Sequence, residues 1–339
     1  MKLFLLLNLL LIHLTLFSQI TSNTNIKTVD STNKTTASPE QSELDSWIET
    51  MEYGISDQRL AVVKKIRSGQ NSNAFELLET SFTNENNISI KEEIIYVFID
   101  MKYKDNTQFW TDIFTKETNL SVLQRASYAV ELMEIPVGTD ILNILKKQLA
   151  EPKAIRFSAA AIQALGKLKN TEALVTITEI ATNITNHQDL RGASVVALGM
   201  YQDESLIPIL KKLLENTGET RFIRRYAALA IGHTKNPQAL KILTPIAINE
   251  QEEQTVRLNS ITGLGYTDST DIVPTLEILT KSDNTAIRTE AIKSLAKLKS
   301  VSSKNIIKYK ADNDPETIVR REANNALKIL EEFENATKK

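Results

Sequence analysis

The chain has no cysteine among its 339 residues. Disulfide bracing, thiol nucleophiles and thiolate metal sites are therefore excluded, and so is a lipid anchor that needs a cysteine after an apolar leader. Histidine is almost as scarce, with three residues, His13, His187 and His233. No two of them are spaced as metal ligands, and none forms the His-Glu pair of an iron-binding helical-repeat hydroxylase. The ten glycines build no phosphate-cradling loop, and no Gly-x-Ser-x-Gly elbow occurs. An excess of one charge is also missing. A net charge of −2 argues against a general polyanion binder and hence against nucleic acid as partner. No stretch alternates apolar and polar residues as a half-buried strand must. These absences predict an all-α chain with no cofactor, no metal and no catalytic motif.

What the chain does have is a repeat. Arg191-Gly-Ala-Ser-Val-Val-Ala-Leu-Gly199, Arg224-Arg-Tyr-Ala-Ala-Leu-Ala-Ile-Gly232 and Arg257-Leu-Asn-Ser-Ile-Thr-Gly-Leu-Gly265 are copies of one pattern, and Arg288 and Arg320 open two more. Stepping backward at the same interval reaches Ser158, Arg125, Lys91 and Arg59. A fixed period of this length with helix-spaced apolar residues means stacked copies of one supersecondary unit. Counting from each anchor, the small or apolar residues at +3, +6 and +7 share one helix face. The +7 series is Ile66, Phe98, Leu132, Leu165, Leu198, Ile231, Leu264, Leu295 and Leu327. Glycine at +8 is expected to end the helix in a left-handed conformation. A second apolar stretch follows in each copy, for example Leu206, Ile207, Leu210 and Leu213, so each unit is a helical hairpin that must stack to bury its faces. Ser89-Ile-Lys-Glu92 reads as a capping box, while Asn236-Pro237 and Asp314-Pro315 read as helix starts.

The arginine-led, alanine-rich first helix ending in Ala-Leu-Gly resembles the HEAT-like repeats of the phycobilisome-lyase type. The resemblance covers about residues 59–330 and is strongest from Ser158 onward. It implies an α-solenoid of about nine stacked helical hairpins, a HEAT-like or armadillo-type superhelix. It does not imply a lyase activity, because the same repeat serves unrelated roles.

Domain organisation follows from composition. Lys2 and the apolar run 3–17 read as a signal peptide over residues 1–19, with an N-terminal membrane anchor as the alternative. As a helix the run reaches only about 22 Å, short of the roughly 30 Å bilayer core. Residues 20–41, rich in Ser, Thr, Asn and Lys, read as a disordered tether. Leu44, Trp47, Ile48 and Met51 give residues 42–54 one apolar helix face, a capping helix ahead of the repeats at 55–339. The expectation is a periplasmic or secreted protein with no stable membrane insertion once the signal is cleaved.

Two sets of residues stand out as interaction candidates. The arginine ladder Arg191, Arg224, Arg257, Arg288 and Arg320 recurs at one register and is expected to brace the stack, with Asp189, Asp283 and Asp314 as nearby acids. Lys146, Lys147, Lys211, Lys212, Lys241 and Lys308 fall on the second helices and are expected to face a protein partner along the concave surface. Phe109 and Trp110, in an aromatic cluster of the second unit, are a further candidate patch. The resulting expectation is an extracytoplasmic protein-binding scaffold. The alternative is an enzyme or lyase-type accessory protein with a site in the atypical N-terminal repeats.

Overall fold

The computed structural model describes residues 39–337. The apolar leader, His13 and most of the expected tether lie outside the described residues. The chain divides after Trp47. Helix Pro39–Tyr53 runs across that division, so residues 39–41, read from composition as tether, are helical.

From Ser56 the described chain is a succession of hairpins without strands. The Arg224 unit shows the pattern, with first helix Arg221–His233 and second helix Gln238–Ile248. Each first helix lies against the first helices before and after it, and each second helix packs against the first helix of the following unit. Eight such hairpins follow one another, and the unit led by Arg320 is one unbroken helix, Thr317–Thr337. This arrangement is an α-solenoid.

Burial follows the repeat. Ser194, Ala227, Ser260 and Ala291 at +3, and Leu198, Ile231, Leu264 and Leu295 at +7, are all fully buried. A buried Leu or Ile contributes about 1.5–3 kcal/mol, and the small +3 residues let the neighbouring helix approach.

The glycines at +8 work differently from the expectation. No glycine has positive φ. Gly199 and Gly232 sit inside their helices, and Gly265 has φ −67°. Their role is close approach. A Cβ on Gly232 would meet the Gly263 carbonyl oxygen at 2.2 Å and its Cα at 2.4 Å, and one on Gly199 would meet Ala230 Cα at 2.7 Å. The obstructing atoms are backbone of the next unit's +6 residue, which no rotamer change can move.

The left-handed residues come three positions later and are never glycine. Gln70, Lys102, Glu134, Lys169, Gln202, Lys235, Asp268 and Lys299 all have φ between 51° and 57°. After Gln70, Lys102, Lys169 and Lys299 the next amide reaches back five residues, as from Asn170 to the Leu165 carbonyl at 3.0 Å and from Tyr103 to Phe98 at 2.8 Å. That bond closes a Schellman turn and offsets a left-handed penalty of roughly 1–2 kcal/mol.

This marker corrects the phase of the third unit. Glu134 is left-handed, which puts the anchor at Leu123, not Arg125. Leu123, Ala126, Ala129 and Val130 are fully buried, whereas Leu132, expected in the core, is 51% exposed. The capping box also moves. Helix Ile88–Asp100 is capped by the Asn87 side chain, which accepts from the Ser89 amide, while Glu92 accepts a hydrogen bond from the Ser121 hydroxyl of the next unit.

Gly232→Ala is expected to destabilise the array by about 1–3 kcal/mol, because the added methyl has only backbone to push against. Gly218→Ala, whose Cβ would meet only the Asn216 side chain at 3.3 Å, is the control. Equal chemical-denaturation curves for the two variants would disprove the close-approach role.

Candidate interaction surface

The ladder cations point across unit boundaries. Arg224 donates through Nη1 and Nη2 to Glu252 at 2.8 and 2.7 Å, and through Nε to the Leu214 carbonyl at 2.8 Å. Arg191 makes the same fork with Glu219 and reaches the Ala181 carbonyl at 3.2 Å. Arg288 holds Asp314 with two 3.0 Å bonds. Arg59 pairs with Glu85 at 2.8 Å, and Lys91 with Glu117 at 2.7 Å. Each acid stands just ahead of the next unit's first helix and also accepts from that turn's amides, as Glu219 does from Thr220 and Asp314 from Glu316. One carboxylate thus joins two consecutive units. Asp189, expected beside Arg191, instead lies 3.8 Å from the exposed His187. The terminal Arg320 bonds the Asp314 and Pro315 carbonyls.

These rungs are buried. Arg191 and Glu219 side chains are 5% and 6% exposed, and Asp314 is 0% exposed. The Arg191 and Arg224 forks hold Glu219 and Glu252 below the usual carboxylate range. For Asp314 burial pushes the pKa up, but hydrogen bonds from Arg288, the Glu316 amide and Lys310 outweigh it and the net direction is down. Where a unit lacks the cation no buried acid stands opposite it, and Glu151, 28 residues after Leu123, is exposed. Leu123 occupies the third anchor, and the buried Ser158 is followed by the neutral Asn186, which donates to the Ile180 carbonyl.

The lysines lie elsewhere. Lys146, Lys147, Lys211, Lys212, Lys241 and Lys308 are all exposed on second helices. Two of them converge. Lys211 and Lys241, with Glu215, Gln238, Ile242, Pro245 and Ile246, line an open groove of about 400 Å³. Lys212 shares a helix with Lys211 but is not part of that lining. Val175, Ile278 and Tyr309, also on second helices, are 67%, 67% and 62% exposed. These apolar side chains were missed in sequence because a single exposed residue breaks no helix period.

The aromatic candidates are core. Trp110 is fully buried and Phe109 is 7% exposed. Phe98 packs edge-on against both rings, with centroids at 6.0 and 5.3 Å. They fill a unit with large side chains and present no anchor to a partner. Arg125 is not a rung either, and its guanidinium lies 4.3 Å from the Tyr96 ring centre. The N-terminal units also carry a cavity of about 770 Å³ lined by Glu52, Ser56, Arg59, Ser81 and Glu85 among others. Among the described residues no cluster of three or more acidic or histidine side chains could hold a metal, and no helix is long and apolar enough to cross a membrane.

The HEAT-repeat family profile matches residues 140–222, 183–254 and 245–328, together more than half of the chain. The protein is a HEAT-repeat protein. No curated protein matches its sequence. Among solved structures it is similar to human deoxyhypusine hydroxylase in complex with glycerol, at 15% identity and TM-score 0.33, over 76% of this chain and 96% of that one. It is similar to YibA of E. coli at 18% identity and TM-score 0.40, over 88% and 99%. An engineered protein matches at 12% identity and TM-score 0.45, over 85% and 88%. The family is a repeat architecture and not a catalytic class.

In this HEAT array the rungs make a prediction about charge. Arg224→Ala should cost roughly 3–5 kcal/mol, since it leaves Glu252 ionised with no cation against it. Arg224→Met with Glu252→Met should recover most of that loss, as the apolar Leu123 boundary shows an uncharged junction to be compatible with stacking. Equal stability of the single and double variants in urea titration would refute the pairing.

A second prediction concerns acid. His233 stacks on Tyr266 with centroids 3.9 Å apart, and burial, then the Lys297 and Lys235 charges, lower its pKa to about 4. The unfolded imidazole takes its proton near 6.5, so between about pH 6.5 and 4 the unfolded chain binds more protons and stability falls as pH drops. The rung carboxylates add a further loss below about pH 4.5. His233→Asn is expected to flatten the melting temperature between pH 6.5 and 5 and to leave the steeper acid loss in place.

Proposed function

We propose that this HEAT array is a non-catalytic scaffold that binds an acidic protein partner along its second-helix face, the inner surface of the solenoid, outside the cytoplasm. The observation that carries the reading is the groove where Lys211 and Lys241 flank Ile242, Pro245 and Ile246. Charge at the edge of an apolar floor is what a protein interface uses for steering and register. Arg191, Arg224 and Arg288 are closed on acids within the stack, whereas these lysines are exposed. Export rests on the basic start and apolar run of residues 2–17, and mature protein in the envelope fraction is expected to begin between about Ile20 and Asn25. Intact Met1 on membrane-bound protein would favour the anchor instead.

The test uses Lys211→Glu, Lys212→Glu and Lys241→Glu together. Wild-type and variant baits are compared in an envelope fraction, with retained proteins quantified by mass spectrometry. The expected outcome is an acidic partner held by the wild type and lost by the variant, more completely at low salt, where screening is weaker. Melting temperature should barely change, since exposed substitutions shift stability within about 0.5 kcal/mol. Partners recovered equally by both baits would overturn the reading.

The alternative, an enzyme or lyase-type accessory site in the N-terminal units, has the 770 Å³ cavity on its side. Of its charged groups, Arg59 and Glu85 are already closed on each other at 2.8 Å, which leaves Glu52 as the remaining carboxylate of that lining.

A further inference from the structure

One rung departs from the rule that cation and acid occur together. Arg257 is 9% exposed, as buried as its neighbours. Its Nε donates to the Ala247 carbonyl at 3.3 Å, matching the Arg191 and Arg224 backbone bonds. Nη1 and Nη2, which elsewhere form the fork to a carboxylate, have no hydrogen-bond partner among the described residues.

The reason is side-chain length at this register: Asp314 serves Arg288 from six residues ahead of the next anchor, whereas Asp283 stands five ahead, where the Arg191 and Arg224 rungs use glutamate. Glu219 and Glu252 directly precede the N-caps Thr220 and Glu253 of the following first helices. The residue directly before the corresponding N-cap, Asn284, is Asp283. Its shorter side chain is exposed, and its main-chain carbonyl accepts from Arg288 Nη1 at 3.0 Å. The amide of Asn284, which at the other junctions would face the acid, turns to the Ser282 hydroxyl at 3.2 Å. Of the other acids of this segment, Glu252 is engaged by Arg224 and Glu253 by the amides of its own helix start, while Glu250 is exposed.

The Arg257 side chain is nine-tenths buried with Nη1 and Nη2 left in reach of solvent, and a cation held so without counter-charge carries a desolvation cost. The array offsets that cost at the other charged boundaries with a carboxylate, bidentate at Arg59, Arg191, Arg224 and Arg288 and through a single bond at Lys91. We propose that Arg257 is a binding site for a carboxylate-class oxyanion, which takes the position that Glu219, Glu252 and Asp314 occupy on the neighbouring rungs. The anion is either a small free ion or a carboxylate presented by an acidic peptide. This site lies on the first-helix ladder and is independent of the second-helix groove.

The full chain is melted in sodium chloride and in sodium acetate at equal ionic strength, and again with a hexaglutamate peptide. Acetate is expected to raise the melting temperature by a few degrees and to slow amide exchange in residues 279–287. A response to hexaglutamate alone would assign the peptide source. Asp283→Glu supplies the missing methylene. It should melt higher than wild type in chloride and lose the response to added anion. Asp283→Asn should match wild type. Arg257→Met, which copies the apolar character of the Leu123 boundary, covers the case in which the glutamate variant folds poorly, and it too should lose the response. The proposal is overturned by the absence of any anion effect, by an effect that survives in Arg257→Met, or by destabilisation in Asp283→Asn, which would mean that Asp283 already serves the rung.

Discussion

Adjacent first helices in this array approach until one backbone rests on the next, and that distance governs everything else. At Gly232 the space for a Cβ is taken by the main chain of Gly263, so the spacing of units is set by covalent geometry and not by side-chain choice. From Ser158 to the Arg288 unit small residues at +3 and +6 accompany it, whereas the first two units stack with Val62, Ile94 and Val97 at these positions. The bulk at +7 fills the space left between the stacked backbones and the second helices. A protein interior is close-packed and compresses little, so a contact of this kind leaves each unit a narrow choice of positions relative to its neighbours.

Such proximity also explains why ion pairs can bridge the units. With helices this close, the guanidinium of one anchor reaches the turn ahead of the next, where main-chain amides are already gathered. The carboxylate there is held by a cation from one side and by helix-start amides from the other. Burial alone would disfavour it, yet Asp314 and Glu219 stay ionised because both contributions act together.

Much of this was legible in sequence. The period, the hairpin and the recurrence of arginine require only residue spacing, and the exposed lysines follow from their position on the second helices. The acids were harder to read. Glu219 lies 28 residues from Arg191, beyond the range of helix-spacing arguments, and nearer acids such as Asp189 competed for the assignment. Glycine misled because one residue type serves two purposes, and nothing in the Ala-Leu-Gly string separates a left-handed turn from a close contact. Arg125 misled as well, because a charged residue two positions from the true anchor looks like the anchor until burial shows Leu123 in its place. The burial of Phe109 and Trp110 was equally hidden, since an aromatic cluster has the same letters in a core and on a surface.

Because each rung is shared, a repeat is not an interchangeable module. Its leading cation is matched to an acid encoded in the following unit, and its own acid is matched to the unit before. Four kinds of junction coexist among the described residues, the charged Arg224–Glu252 type, the unpaired Arg257 type, the apolar type at Leu123 and the neutral Ser158–Asn186 type. Gene duplication or excision that cuts between hairpins therefore joins compatible halves only when the two breakpoints are of the same type. A crossover joining the Ser158 unit directly to the unit that begins with Glu252 would strand that carboxylate against a serine. The array can lengthen or shorten freely only by exchange within a class, which makes the junction, and not the hairpin, its unit of inheritance.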